Sequence, residues 1–344
     1  MTVQDDRPVH LYRVEPFDRI EVGFAEDVVT SIIIRLQQAV PAAPLAEQLQ
    51  LGGIRPVLVS NEFGEILGQS FPERGVLFAF EPAGQPGKAT MRVVDVILEP
   101  VTAEAFILRA ETYLDTEAAA SAEDLKHAIQ LQPDLARAHW LQARAATSMG
   151  DTELALSSSA EAIRLEPKNC EAYVCRGAAK SWLGKRDEAL ADHSEAIRLN
   201  PNFAKAYSNR ATVYSLMGNH DRAIEDYSEV IRLNPNDELA YGRRGAAHTR
   251  KGQTAAAIAD FTAAIRLNPD YASAYYNRGL VHWILGDLER SIADFSETIR
   301  INPAYGKAYQ NRALAYDKAG DRQKAQLDLA KAKQLESGRP LTLR

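Results

Sequence analysis

The chain has 344 residues, of which 46% are hydrophobic and 25% charged, and this composition excludes a disordered polypeptide and allows two domains. No stretch approaches the ~20 consecutive apolar residues that a bilayer-spanning helix needs, and the first residues lack the basic start and apolar run of a signal peptide. The only cysteines are Cys170 and Cys175, too few for a disulfide framework. We therefore expect a cytoplasmic protein without membrane insertion.

Charge and proline divide the chain at one place. Residues 1–100 contain 8 basic and 14 acidic residues, whereas residues 101–344 contain 32 of each, so the whole net charge of −6 lies in the first part. That balance argues against a nucleic-acid partner there. Nine prolines are scattered through residues 1–100, and six later prolines then recur every 34 residues. We place the domain boundary near Glu99–Thr102, which gives domains 1–100 and 101–344.

The first domain is predicted to be all-β. Its segments rich in β-branched residues are bounded by Pro, Gly or Asn, a pattern typical of strands. They are residues 10–14, 18–22, 28–35, 54–60, 75–80 and 89–98. Residues 61–64 and 81–88 are turn-like, and residues 44–51 favour one short helix. We expect a small sandwich or barrel of open role.

The second domain repeats itself. Four stretches of similar sequence, AYSNRATVYSLMGN at 206–219, AYGRRGAAHTRKGQ at 240–253, AYYNRGLVHWILGD at 274–287 and AYQNRALAYDKAGD at 308–321, begin 34 residues apart. The glycine of each stretch ends a first helix because glycine tolerates a positive φ. A proline follows the second helix because proline cannot continue a helix interior. Each period is therefore a helix–turn–helix unit that must stack on its neighbours.

These repeats resemble the tetratricopeptide repeat family. With the proline as position 32, units begin at 136, 170, 204, 238, 272 and 306. Small residues stand at position 8 throughout, and alanine stands at position 20 except for Ser291. Residues 102–135 fit only in their second half and are read as a degenerate unit, and Ser337 replaces the last proline. The resemblance implies an all-α superhelical solenoid, so the chain is expected to be a two-domain α+β protein.

Arginine at position 7 recurs with aspartate at position 23. Paired antiparallel helices bring such positions together, so we predict a row of structural ion pairs rather than ligand contacts. The representative pairs are Arg210 with Asp226, Arg244 with Asp260, and Arg278 with Asp294.

The resemblance also implies a ligand groove. In this family, positions 2, 5, 6, 9, 12 and 13 tend to face a concave surface. All three tryptophans fall on such positions, and basic residues outnumber acidic ones there. The tryptophans could instead serve packing. The predicted groove residues are Trp140, Arg144, Trp182, Lys205, Asn209, Arg243, Arg250, Tyr276, Asn277, Leu280, Trp283 and Ile284.

A basic, aromatic groove suits a protein or peptide of acidic character. Some family members clamp a carboxylate with a Lys/Asn/Asn/Lys/Arg set. Here Asn209 and Arg243 match two places, while Val174, Ala178 and Leu239 occupy others, so that clamp is not expected. We therefore predict a non-catalytic scaffold. The alternatives are a structural subunit that self-associates through this surface, occupation of the groove by the acidic first domain, and an enzyme with an unrecognised β domain.

No catalytic, metal or cofactor signature stands out. GQPGKAT at 84–90 has the wrong spacing for a phosphate loop, and Ala89 replaces the hydroxyl that would hold magnesium. The two cysteines have no histidine at zinc spacing. His193, His248 and His282 stand where other units carry Tyr or Phe, so they are predicted to replace packing aromatic residues.

Overall fold

The computed structural model describes residues 9–12, 17–25, 28–49, 51, 56–60, 66–72, 75–80, 92–98 and 101–337. The chain divides into two compact parts, residues 1–175 and residues 176–344, which are called the first unit and the second unit and are described separately. Every other use of the word unit refers to one 34-residue repeat.

The first unit begins with one antiparallel sheet. Its strands follow the order β1-β2-β3-β7-β6-β5-β4. Their bounds are β1 Val9–Tyr12, β2 Phe17–Ala25, β3 Val28–Pro41, β4 Val57–Ser60, β5 Ile66–Phe71, β6 Val76–Phe80 and β7 Arg92–Leu98. The predicted all-β class is confirmed, and the described strands form a single continuous sheet. The predicted turns at 61–64 and 81–88, and the GQPGKAT stretch, lie outside the described residues.

Strand β5 is the one strand of the sheet that the sequence did not predict. Its residues include Gly68, Gln69 and Ser70, which have weak strand propensity. Gly68 is required by the neighbouring strand, because a Cβ there would lie 2.2 Å from the carbonyl oxygen of Phe78. A close backbone approach of this kind is what glycine permits.

The sheet packs its apolar face against the short helix α1, Ala42–Gln48, close to the predicted 44–51. The core includes Phe71 and Phe78, whose rings meet edge to face with centroids 5.1 Å apart. Arg35 and Asp95, paired across β3 and β7, form an ion pair in which Nη2 donates to Oδ2 at 2.6 Å.

The first unit continues with helices α2 Ala103–Tyr113, α3 Ala118–Leu131, α4 Ala136–Met149 and α5 Thr152–Leu165. The degenerate unit at 102–135 therefore contains both helices, although only its second half fitted the repeat. Its first helix, α2, begins at an N-cap formed by Thr102 and buries Phe106 and Ile107 in a core shared with α3 and α4. The predicted domain boundary falls between the end of β7 and the start of α2 and stays a prediction.

The second unit contains regular helix pairs. Helix α6, Cys170–Trp182, enters it, and the others are α7 Arg186–Leu199, α8 Ala204–Leu216, α9 His220–Leu233, α10 Glu238–Arg250, α11 Thr254–Leu267, α12 Ala272–Ile284, α13 Leu288–Ile301, α14 Gly306–Lys318 and α15 Arg322–Ser337. First helices start at the predicted unit starts. The glycine after each one has φ between 71° and 88°. Helix α15, which lacks the proline, runs on to Ser337.

Helices within a unit approach closely where position 8 is small. A Cβ on Gly245 would lie 2.9 Å from the buried Phe261 ring, and one on Gly279 would lie 3.0 Å from Phe295. A Cβ on Gly177 would come within 2.5 Å of His193. The prediction that His193 replaces a packing aromatic residue is therefore confirmed, since its imidazole occupies the same place as these phenyl rings.

A membrane-crossing helix would have to be longer and more apolar than any helix in the described part of the chain.

Candidate functional site

The recurrent arginines and aspartates are hydrogen-bonded ion pairs. In five units the position 7 guanidinium donates through Nε and Nη2 to both carboxylate oxygens at 2.6–3.0 Å. The aspartates are only 4–7% exposed. The pairs are Arg176–Asp192, Arg210–Asp226, Arg244–Asp260, Arg278–Asp294 and Arg312–Asp328. Two nitrogens of each guanidinium are therefore engaged by a buried acid.

The same arginines also join successive units, which the sequence analysis did not predict. Nη1 of Arg210, Arg244, Arg278 and Arg312 donates at 2.9–3.0 Å to a Ser or Thr hydroxyl in the preceding unit. Each of these guanidinium groups also lies over the position 4 tyrosine of its own helix, 5.6–5.7 Å from the ring centroid. The hydrogen bond to the aspartate raises the pKa of Arg244. One side chain therefore contacts two neighbouring units, and its charge serves the stacking.

Two units vary this arrangement. In the unit beginning at 136, the ion pair is replaced by a hydrogen bond in which Ser158 Oγ donates to Gln142 Oε1 at 2.8 Å. In the degenerate unit, Arg109 stands one residue later than position 7 and donates through Nε to Asp124 at 2.9 Å. The one-residue offset explains why the periodic pattern missed this pair.

The first helices of the second unit form a continuous surface, here called the first-helix face. It consists of positions 2, 5, 6, 9, 12 and 13 of α8, α10, α12 and α14, with Ala178, Ser181 and Trp182 of α6. Contacts 35 residues apart join its members. Arg243 Nη1 donates to Ser208 Oγ at 3.0 Å, Asn311 Nδ2 donates to Tyr276 OH at 2.8 Å, and Lys318 Nζ lies 5.0 Å from the Trp283 ring centroid. Positions 5 and 12 of one unit thus touch positions 6 and 13 of the next.

The three tryptophans have different environments. Trp182 is 67% exposed at the end of α6. Trp283 is half-buried beneath Lys318. Trp140, in the first unit, packs against the core formed by α2, α3 and α4. Of the three rings, the structure leaves the most surface available on Trp182 and places Trp140 in the packing role that the sequence analysis left open.

The predicted basic residues also differ between the two units. Arg144 forms an ion pair with Asp115 at 2.6 Å. Arg137 pairs with Glu104 and Glu111 of α2, which raises its pKa. The repeat pattern does not mark α2 as a first helix, so these acids were not predicted. They neutralise the basic residues of α4.

On α8 and α10, three basic residues of the first-helix face are exposed and form no ion pair with any described residue. They are Lys205 on α8 and Arg243 and Arg250 on α10. Arg243 is exposed and donates to Ser208 Oγ through Nη1. This part of the first-helix face presents unneutralised positive charge.

Helices α12 and α14 present apolar groups. Leu280 is half-buried, Ile284 is 65% exposed and Leu314 is 53% exposed. Tyr276 stacks on Tyr305 with centroids 4.9 Å apart, and burial raises the pKa of the Tyr276 hydroxyl. Asn277, the residue that follows Tyr276, is half-buried. The predicted patch of Tyr276, Leu280, Trp283 and Ile284 therefore gains Leu314 and a tyrosine partner.

At two helix junctions, the tyrosine that precedes a first helix covers position 5 of the preceding first helix. Tyr305 covers Tyr276, and the Tyr271 ring lies 2.9 Å from where a Cβ on Gly242 would stand. Gly242 is consequently buried, although position 5 was expected to face a ligand. The tyrosines at these helix junctions give the first-helix face an aromatic floor that the period alone did not indicate.

A small cleft of about 90 Å³ opens between α6 and α8. Ser181, Trp182, Asn209 and Thr212 line it, with the buried His193. Neither ring nitrogen of His193 has a hydrogen-bond partner among the described residues, and burial lowers the pKa of this imidazole to about 4. The cleft therefore offers hydroxyl and amide groups beside the exposed indole of Trp182.

A larger cavity of about 380 Å³ lies among α11, α12 and α13. His282 and Arg290 line it together with Arg278 and Asp294. Burial lowers the pKa of His282. In related units a cation at position 19 lies over a tyrosine at position 11, as with Arg222 and Tyr214. His282 and Arg290 occupy the same two positions as this packing pair, and both line the cavity.

The described residues contain no cluster of three or more His, Cys, Asp or Glu side chains that could hold a metal ion. The first-helix face presents exposed guanidinium and ammonium groups, hydroxyls, amides and apolar side chains.

Comparisons with known proteins agree with the repeat. Family models described as "Tetratricopeptide repeat" match residues 136–169, 204–237, 272–305 and 306–338, and one described as "TPR repeat" matches 245–286. No family model matches the β-rich region. No curated protein matches the chain significantly.

Several solved structures are similar. A tetratricopeptide repeat protein from Parabacteroides merdae is 20% identical, with a TM-score of 0.52 over 68% of this chain and 93% of that chain. PilF of Pseudomonas aeruginosa is 17% identical, with a TM-score of 0.53 over 63% and 96%. MamA is 31% identical, with a TM-score of 0.46 over 47% and 95%. The first two show the helical-repeat fold. Residues 136–338 of this chain belong to the tetratricopeptide repeat family.

Proposed function

We propose that this chain is a non-catalytic protein-interaction scaffold that holds a peptide or protein segment on the first-helix face. The observation that carries the proposal is the exposure of large binding side chains at repeat positions that the stacking does not use. Trp182 and Ile284 are 67% and 65% exposed, while the Arg–Asp pairs and the aromatic residues at position 24 supply the packing. Tryptophan, tyrosine and arginine are enriched among the residues that anchor protein interfaces.

The shape of the face also supports a segment rather than a small molecule. Its residues come from successive first helices, and residues 35 positions apart are in contact. Arg243 contacts Ser208, and Lys318 contacts Trp283. The α6–α8 cleft, at about 90 Å³, is smaller than the ~300 Å³ or more of ordinary small-molecule pockets. A ligand that exploits the whole face has to extend across several helices.

The partner is proposed to be acidic, at least in part. Lys205, Arg243 and Arg250 have no ion-pair partner within the described residues, so an acidic segment would complement them. The basic residues of α4 do not contribute, because Glu111 of α2 already neutralises Arg137 and Asp115, which follows α2, neutralises Arg144. The acidic preference is therefore assigned to the second unit alone.

A second candidate function is self-association, in which the same face joins copies of the chain. The exposed Ile284, Leu285 and Leu314 favour it. Light scattering over a hundredfold range of protein concentration tests this alternative. A mass that rises with concentration and stays low after Ile284→Ser/Leu314→Ser would favour self-association over binding of another partner.

The proposed function is tested by selecting peptides from a random phage-displayed library on the immobilised full-length protein. Enriched peptides are then titrated by fluorescence anisotropy against the wild type and the face variant Arg243→Glu/Ile284→Ser. The matched control is Arg266→Glu/Leu327→Ser, which changes one arginine and one aliphatic residue at exposed sites on second helices. We expect the face variant alone to lose binding. Enrichment of no peptide, or equal loss in both variants, contradicts the proposal.

A further inference from the structure

The cavity of about 380 Å³ among α11, α12 and α13 is separate from the first-helix face. None of the residues that line it stands at position 2, 5, 6, 9, 12 or 13 of a unit. They include Ile258 on α11, His282 on α12, and Arg290 and Ala293 on α13. The volume falls within the range of ~300–1,000 Å³ that is usual for pockets holding small ligands. The proposed function of the first-helix face therefore does not account for this cavity.

Two other units carry a tyrosine ring at the corresponding place. Tyr316, at position 11 of the last unit, has the ammonium group of Lys324, at position 19, 5.3 Å from its ring centroid. The guanidinium of Arg312, at position 7, lies 5.8 Å from the same centroid. In the unit that begins at 204, Arg222 lies 5.5 Å from the ring centroid of Tyr214, again from position 19 to position 11. In the last unit, the phenol ring is thus held between the cations at positions 7 and 19.

The unit that begins at 272 has both cations but no phenol ring. Arg278 at position 7 and Arg290 at position 19 line the cavity, and position 11 is His282. An imidazole is smaller than a phenol ring. Position 22 also carries a smaller side chain here, since Ala293 stands where the last unit has Leu327. The cavity between these residues is therefore open to a ring that comes from outside the chain.

The groups around the cavity suit an aromatic ring that carries one polar atom. The side chain of Arg290 is 73% exposed, and its ion pair with Asp287, on the same helix, is 3.4 Å long, so its guanidinium is available to lie over a ring. Ile258 is half-buried and supplies an apolar wall. His282 is buried, and its Nε2 lies 3.9 Å from Asp294 Oδ2, which is too far for a hydrogen bond. Burial lowers the pKa of His282, so at pH 7.5 the neutral imidazole has one nitrogen that accepts a hydrogen bond.

We infer that this cavity binds a phenol ring, with the ring face beneath the guanidinium of Arg290 and the hydroxyl directed toward His282. The ring takes the place that Tyr214 and Tyr316 occupy in their own units. It belongs either to a small molecule or to a tyrosine side chain of another protein, and the chemistry of recognition is the same for both. This inference does not rest on the proposed function of the first-helix face.

The experiment titrates the full-length protein with three probes at pH 7.5 and measures binding by saturation-transfer difference NMR. The probe p-cresol supplies the free ring, the blocked tripeptide Gly-Tyr-Gly supplies the ring on a peptide, and 4-methylcyclohexanol has a similar size without an aromatic ring. We expect p-cresol to bind saturably and 4-methylcyclohexanol to bind much more weakly. Binding of the tripeptide as well assigns the site to a tyrosine side chain, and binding of p-cresol without the tripeptide assigns it to a small molecule. Equal binding of p-cresol and 4-methylcyclohexanol, or no saturable binding of either ring probe, overturns the inference.

Three variants, each checked for helicity by circular dichroism, locate the bound ring. His282→Tyr places the chain's own phenol ring at position 11 and should abolish binding of p-cresol. The matched control His248→Tyr makes the same change in the preceding unit, where Ala256 stands at position 19 in place of a cation, and should leave binding unchanged. Arg290→Gln should weaken binding about two- to fivefold through loss of an exposed cation–π contact. If the wild type, His282→Tyr and Arg290→Gln bind p-cresol equally, the ring binds elsewhere and the inference is wrong.

Discussion

Replacing His193 by phenylalanine should change how the stability of the repeat depends on pH. The imidazole is fully buried against Gly177, and neither ring nitrogen has a hydrogen-bond partner among the described residues. Burial lowers its pKa from 6.5 to about 4, with Asp192 opposing and Arg210 reinforcing the shift. Units 238 and 272 carry Phe261 and Phe295 against glycine at the same place, so the substitution fits the fold.

The sign follows from proton binding. Between pH 6.5 and about 4, the unfolded chain binds a proton at His193 that the folded chain does not, so the free energy of unfolding falls as the pH falls through this window. Above pH 6.5 the imidazole is unprotonated in both the folded and the unfolded chain, so His193 no longer makes the free energy of unfolding depend on pH. At about 1.4 kcal/mol per pKa unit, the full shift corresponds to about 3 kcal/mol, and roughly 2 kcal/mol of it is lost by pH 5.

The assay is urea denaturation of the wild type and His193→Phe at pH 7.5 and pH 5.0. The difference between the two proteins should grow by about 2 kcal/mol at the lower pH. Groups that titrate in both proteins, including His282 with its lowered pKa, cancel in this comparison. If the two proteins lose stability equally on acidification, the buried, unprotonated state assigned to His193 is wrong.

Three further predictions concern the repeat. Arg244→Ala removes the arginine partner of the buried Asp260 and should lower the free energy of unfolding by about 3 kcal/mol. Arg232→Ala removes an exposed pair with Glu229 and should lower it by less than about 1 kcal/mol. Equal losses in the two variants would refute the structural role of the Arg–Asp row. Gly286→Ala should lower the free energy of unfolding, measured by urea denaturation, by about 1 kcal/mol. The cost comes from the φ of 79° alone, because no neighbouring atom lies within 4 Å of the added Cβ. An unchanged stability would contradict the left-handed turn. Among the three variants that each retain one tryptophan, acrylamide should quench the fluorescence of Trp182 most and that of Trp140 less; the reverse order would contradict their exposures.

The helical array could be predicted because its signals are local and repeated. A glycine that needs positive φ and a proline that stops a helix mark both ends of each pair, and the observed helices begin at residues 136, 170, 204, 238, 272 and 306. The Arg244–Asp260 type of pair was also accessible, since both residues recur at one spacing.

Other features depend on packing between elements and left little periodic signal. Helix α2 lacks the position 7 arginine, so its acids Glu104 and Glu111 were not placed beside Arg137. The hydroxyls that join units, such as Ser228 to Arg244, are ordinary residues whose role appears only when the units stack. Strand β5 carries glycine because of its neighbour Phe78, which no local pattern reveals.

The candidate face was predicted by position, but the exposure of its individual side chains was not. Trp140 and Trp283 both occupy repeat positions that were expected to face a ligand. Trp140 nevertheless packs against α2 and α3, whereas Trp283 lies under Lys318. Exposure depends on which neighbours each ring meets, and those neighbours differ between units.

The most direct test of the account is a crystal structure of the full-length protein with a peptide selected on it. We predict continuous electron density for the peptide along α8, α10, α12 and α14, with carboxylates at Arg243 or Arg250 and an apolar side chain against Ile284 and Leu314. Density on the second helices or on the sheet, with the first-helix face empty, would contradict the central claim.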